Sequence, residues 1–211
     1  MAHSDAATAS PFHEGERAVH RRLGVEAVES WARQVVRNFL PEQHRAFHTA
    51  QPFLVAAARD EEGRPWATVL AGEEGFVRSP DPRTLHIDAR PVAGDALEGA
   101  LRPGCDLGLL GIELYTRRRN RVNGRLVPRA EAVAGMDAIP DASAGAIAGA
   151  DADTNVGALV FRVDQSFGNC PQHISPRRWS RIAERSSPRA TRGSALTPEQ
   201  TRWIAEADTF F

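Results

Sequence analysis

Hydrophobic and polar positions follow two different periods along this chain, and the change falls near residue 52. Upstream, Val25, Val28, Ala32, Val35, Val36 and Phe39 recur three and four apart and form one apolar stripe. Residues Glu14 to Phe39 therefore read as helical, with Gly24 breaking the region in two. Pro41 to Ala50 reads as a further short helix with proline at its start. His44 and His48 lie four apart there; with no third ligand beside them, the spacing fits a solvated helix face rather than a metal site. Downstream, the apolar runs Phe53–Ala58, Pro65–Ala71, Phe76–Ser79, Thr84–Ile87 and Asp106–Tyr115 read as strands, most of them bounded by the close turn signals of Asp60–Gly63, Gly72–Gly75 and Pro80–Pro82. Gly94 to Leu101 reads as a short helix plugging one end. Short strands joined this way predict a small antiparallel barrel.

Two stretches carry more polar chemistry than a core needs. In Thr116–Gly124, strand parity sends Arg117, Arg119 and Arg121 one way and Arg118 and Asn120 the other. Asn123-Gly124 reads as a hairpin turn, with Arg125–Arg129 returning. Such a face is solvated arginine, a nucleic-acid patch, or an anion site, the sharper option because guanidinium forks hold phosphate bidentately. In Gly157–Ile174, Leu159, Phe161 and Val163 share one strand face, and Val160, Arg162 and Asp164 the other. Gln165, Ser166 and Asn169 then supply donors and acceptors, Gly168 frees the backbone and Pro171 stops the ladder. Those residues suit a plain strand end or a bound polar ring or phosphate. Ala130 to Asp153 reads as a flexible insertion within a hairpin, and Ser175 to Ala195 as a linker.

One short stretch recurs. Pro41-Glu-Gln-His-Arg45 precedes Phe53 as Pro198-Glu-Gln-Thr-Arg202 precedes Phe210, each at an interval of 12 residues. An internal duplication accounts for this, and predicts a truncated two-domain protein or the remnant of one.

Bulk composition narrows the function classes. The 211 residues fit one domain of about 150 residues plus extensions. A net charge of -1 gives no sign of a nucleic-acid partner. No apolar run approaches the roughly 18 residues of a membrane span, and the N-terminus lacks a signal-peptide core. Cys105 and Cys170 match no zinc or disulfide pattern, and Cys170 reads as a small buried residue; a cytoplasmic protein is expected. All 26 basic residues are arginine, which excludes a Schiff-base lysine, a P-loop lysine and a kinase-type lysine.

Five segments, in order, resemble the pyridoxamine 5'-phosphate oxidase-related FMN-binding split-barrel family: Arg64-Pro-Trp-Ala-Thr-Val-Leu-Ala-Gly72, Gly75-Phe-Val-Arg-Ser-Pro-Asp81, Leu109-Leu-Gly-Ile-Glu113, Thr116-Arg-Arg-Arg-Asn-Arg-Val-Asn-Gly124 and Asp164-Gln-Ser-Phe-Gly-Asn-Cys-Pro171. The resemblance runs from about Pro11 to Ile174. It implies a mainly β (α+β) fold: a six-stranded antiparallel split β-barrel of FMN-binding type with N-terminal helices. It divides the chain into an N-terminal helical extension (1–51), the flavin-binding barrel (52–175), a linker (176–196) and a helix (197–211) like the start of a second, truncated barrel. The cofactor-binding residues it implies are Trp66, Ala67, Thr68, Val69, Leu70, Arg78, Ser79, Pro80, Arg119, Asn120, Arg121, Gln165 and Ser166. Arg119 stands where the oxidase has a flavin-contacting Gln; Gln165 and Ser166 keep its Gln-Ser pair. Trp66, Val69 and Leu70 could wall the dimethylbenzene side and Gln165 could bond the pyrimidine edge. Arg78, Arg83, Arg90, Arg119 and Arg121 are the candidate phosphate cations. No C-terminal Trp or Arg-x-His substrate motif has a counterpart, so pyridoxine-phosphate oxidation is not implied. The expectation is an FMN-dependent oxidoreductase, a homodimer with flavin at the subunit interface and a nicotinamide as possible donor. The alternatives are a non-catalytic flavin-binding module, a haem-binding module using His86 or His173, or a remnant of a two-barrel protein.

Overall fold

The computed structural model describes residues 10–130, 158–168, 174–180 and 193–207. The expected insertion at 130–153, most of the linker, Asn169, Cys170, His173 and Phe210 therefore fall largely or wholly outside the described residues.

The upstream helices form where the three-and-four spacing placed them. α1 (Glu14–Leu23) opens on a reciprocal cap, His13 accepting from the Glu16 amide while Glu16 accepts from the His13 amide, and closes at Gly24 in the left-handed region. α2 (Val28–Val35) buries only Ala32. α3 (Glu42–Thr49) buries Phe47 and His48. The expected helical stripe ends early. Val36 is already extended, and Arg37 pairs through its backbone with Ser166. Leu40 donates to the Pro82 carbonyl.

Seven strands form one antiparallel sheet: β1 (Phe53–Arg59), β2 (Pro65–Ala71), β3 (Val77–Asp81), β4 (Thr84–Ile87), β5 (Asp106–Glu113), β6 (Arg118–Leu126) and β7 (Leu159–Gly168), in the order β2-β1-β5-β6-β7-β4-β3. Leu54, Leu70, Val77, Leu85, Leu109, Val122 and Phe161, one from each strand, belong to a single buried cluster. Residues from both edge strands share that cluster, so the sheet curls around it while its edges, β2 and β3, stay unpaired. The sheet is thus mainly β and antiparallel as expected, with seven strands where six were implied. β3 and β4 remain separate strands, as their spacing predicted, across the tight Pro82-Arg83 turn, where the Asp81 carboxylate accepts from the Arg83 amide.

Two local expectations are corrected. Residues 94–101 form consecutive turns rather than a helix, though Leu97, Ala100 and Leu101 still fill the core. Asn123-Gly124 is no hairpin turn: both lie inside β6, and the chain reverses at 114–117 instead. Glycine is needed at 124 for space, since a Cβ there would land on the Arg162 carbonyl oxygen and 2.8 Å from the Phe161 ring. The recurring stretch does form a second helix, α4 (Pro198–Glu206), capped reciprocally by Thr197 and Gln200, with Trp203 63% exposed.

Candidate functional site

A single extra residue in β7 decides which side chains face outward. Asn123 pairs with Gln165, but the next residue, Gly124, pairs with Val163, so Asp164 is a bulge without a partner. Before the bulge Leu159, Phe161 and Val163 point into the core; after it the parity flips. Ser166 turns inward and is fully buried, while Gln165 and Phe167 come to the outer face. Strict alternation could not foresee this.

On that outer face the registers build a row across five strands: Ala67, Ala57, Gly108, Asn123 and Gln165. The first three are small. A Cβ at Gly108 would sit 3.4 Å from the Asn123 amide oxygen, so any larger residue would fill the row. Asn123 Nδ2 donates to Gln165 Oε1 at 3.1 Å. That bond leaves for a ligand the Asn123 Oδ1 acceptor, the Gln165 Nε2 donor group and the second N–H of Asn123. The adjoining row is Val69, Val55, Leu110, Arg121 and Phe167. Part of the first row floors an open groove of about 1060 Å³, walled by the β1–β2 turn and by residues 102–106, which the Arg102–Glu61 ion pair joins at 2.8 Å. Arg59, Trp66, Arg102, Cys105 and Asp164 also line it. Burial and the neighbouring Asp106 carboxylate push the Cys105 thiol up, which leaves it a poor nucleophile.

Trp66 is held at the rim by Asp60, whose carboxylate accepts from the Trp66 indole at 2.8 Å, from Arg64 Nε at 2.7 Å and from the amides of Glu62 and Arg64. Burial alone would raise the Asp60 pKa; the hydrogen bonds from Arg64 and Trp66 outweigh it and hold the group at about 2.

The remaining residues implied by the family resemblance divide by face and edge. Ala67, Val69 and Arg121 share the outer face with Gln165. Thr68 and Leu70 point inward, and the Thr68 hydroxyl donates to Asp95 at 2.6 Å. Arg78, Ser79 and Pro80 lie on β3, the opposite edge strand. Arg78 pairs with Asp88, and Ser79 accepts two bonds from Arg45 of α3, one on its hydroxyl and one on its carbonyl. Arg90 donates to the Leu101 carbonyl, and Arg83 occupies the β3–β4 turn. Arg119 lies at the far end of β6, opposite Ile112. His86, the described haem-ligand candidate, sits on β4 between Arg78 and Val160 in the register.

Asn120 and Ser166 belong to a second, internal polar group with the two histidines. His48 Nε2 meets Asn120 Oδ1 at 2.7 Å, Asn120 Nδ2 meets His44 Nδ1 at 3.2 Å, and His44 Nδ1 meets Ser166 Oγ at 3.1 Å. The expected solvated histidine face is therefore corrected: His48 is fully buried and His44 half-buried, because α3 lays this face against Gly111 and Asn120 of the curled sheet. Gly111 makes the room, since a Cβ there would sit 2.9 Å from Phe47 and 3.0 Å from His48. Burial lowers the His48 pKa to about 4, so it is neutral near pH 7. Burial and the nearby Arg37 and Arg118 also lower that of His44. Among the described residues no group of three metal-ligating side chains occurs, and no helix is long and apolar enough to cross a membrane.

No family model and no curated protein matches the chain. Solved structures similar to it include a tagged variant of HupZ from Group A Streptococcus, with 13% identity over 62% of this chain and 99% of that one, at a TM-score of 0.39. A protein assigned as a pyridoxamine 5'-phosphate oxidase from Lactobacillus delbrueckii is similar at 16% identity, over 62% of this chain and 95% of that one, with a TM-score of 0.39. An FMN-binding protein from Syntrophomonas wolfei is similar at 13% identity, over 71% of this chain and 96% of that one, again with a TM-score of 0.39.

Proposed function

We propose that this chain is a flavin-binding protein of oxidoreductase type, holding FMN in the outer-face groove of β1, β5, β6 and β7. The observation that carries the reading is the cross-strand row of Ala57, Gly108, Asn123 and Gln165. A planar ring needs a floor without projecting side chains, which Ala57 and Gly108 supply. The pyrimidine edge of a flavin alternates carbonyl acceptors with one N–H donor. The paired amides present the complement, an acceptor and donors, whichever way the two amides are turned. Trp66 offers an apolar wall, and the candidate cations for a phosphate are Arg59 on the groove wall and Arg121, two residues from Asn123 on the same face of β6. When bound, FMN supplies the hydride and electron transfer; the chain's own residues orient it and shield its face. A reduced nicotinamide is the donor to try first.

The same reading puts a second copy against the exposed outer face of β2, where Val69 is 51% exposed.

Absorbance and fluorescence titration with FMN tests the site. Gln165→Ala and Asn123→Ala should each weaken FMN binding by about 1–3 kcal/mol, roughly 5- to 150-fold. Gly108→Val should abolish it by filling the floor. Wild-type affinity in all three variants, or no FMN binding by the unaltered chain, would remove the proposal.

A further inference from the structure

A second cavity lies at the other end of the β5–β6 hairpin from the groove's residue 102–106 wall. It measures about 250 Å³ and is lined by Gln43, His44 and Phe47 of α3, by 116–120, and by Gly168. Three consecutive arginines, Arg117, Arg118 and Arg119, contribute to it, and no carboxylate lines it among the described residues. Glu113, an acid at the start of the turn, is already engaged: Thr116 Oγ1 donates to it at 2.6 Å and Arg118 Nη1 lies 3.6 Å away. Arg118 stacks over Phe47 of α3 at 5.1 Å from the ring centroid. Arg117 takes a left-handed backbone, φ 65°, uncommon for a residue with a side chain.

The internal hydrogen bonds orient His44 toward the same end. A proton on His48 Nδ1 would be a buried N–H with no partner, so His48 carries its proton on Nε2 and donates to Asn120 Oδ1. Asn120 Nδ2 must then donate to His44 Nδ1, which leaves Nε2–H as the donor of neutral His44. The cavity thus combines an imidazole donor, the Gln43 amide and adjacent guanidinium groups. We infer that it is an anion site, built for the phosphate group of a phosphomonoester.

Inorganic phosphate is the probe, read by calorimetry and by the ring-carbon resonance of His44 in the full chain, at constant ionic strength. Saturable binding that moves the His44 resonance is expected, with a loss of about tenfold in Arg117→Gly and in Arg118→Gln and partial recovery in Arg118→Lys. Glycine accepts the left-handed backbone at no steric cost, so lost binding in Arg117→Gly reports the charge and not a failure to fold. No saturable binding, or affinity unchanged in both variants, would overturn the site. Two further titrations identify the source of the phosphate: competition by FMN but not riboflavin assigns the site to the flavin's own phosphate, and equal phosphate affinity with and without FMN assigns it to a separate phosphorylated ligand.

Discussion

Single residues here are constrained by what lies across the strand. Gly124 faces the Arg162 carbonyl and the Phe161 ring, and neither backbone nor ring can give way cheaply. Gly124→Ala should destabilise the fold by about 3 kcal/mol or more, read as a fall in urea midpoint. His48 is constrained by burial. Its pKa of about 4 in the folded chain lies below the ordinary unfolded value of about 6.5. The unfolded chain therefore binds the proton first, so this stability is fully present above pH 6.5 and is lost as pH falls toward 4. The loss should reach an order of magnitude of 3 kcal/mol. Urea midpoints at pH 7 and pH 5 should diverge less in His48→Gln, which keeps a donor for Asn120; an unaltered difference would show that His48 does not titrate this way.

At the scale of elements, the β1–β2 hairpin is organised by Asp60 rather than by its glycine alone. One carboxylate gathers two turn amides, Arg64 and the Trp66 indole. Its folded pKa of about 2 is below the ordinary carboxylate value, so the contribution is present above about pH 4 and is lost as pH falls toward 2. The Trp66 indole N–H should stay protected from exchange at neutral pH and lose protection through that acid range. Asp60→Asn should weaken the protection at neutral pH and remove its acid dependence. An indole that exchanges freely at pH 7 in the unaltered chain would show that Asp60 does not hold the groove's rim.

At the scale of the molecule, the curled sheet leaves β2 as an edge with an apolar outer face, Ala67, Val69 and Ala71. A free edge of this kind invites association. In the proposed homodimer Val69→Glu should dissociate the pair, seen as a halved mass by light scattering, and should weaken FMN binding if the interface borders the groove. A chain that is monomeric before the substitution would dismiss the dimer while leaving the groove's amide pair to be judged by its own titration.

Local pattern determined a good deal of this protein. Proline, glycine and the period of apolar positions placed α3, β2 and β4 almost to the residue, because each of those signals acts within a few residues along the chain. The absence of lysine alone limited every side-chain cation that could hold an anion to arginine or histidine. What only the tertiary structure decided were the features that depend on a neighbour far away in sequence. Gly124 looks like a turn until the Arg162 carbonyl is found against it. Gln165 and Ser166 exchange faces because Asp164 bulges, and that bulge is set by pairing with β6, some forty residues earlier. His44 and His48 have the spacing of an exposed helix face, yet they lie against the curled sheet because Gly111 leaves room there and Asn120 supplies the hydrogen bonds. Periodicity reports which side chains share a face; which face is buried, and against what, depends on packing between segments that the chain order does not bring together.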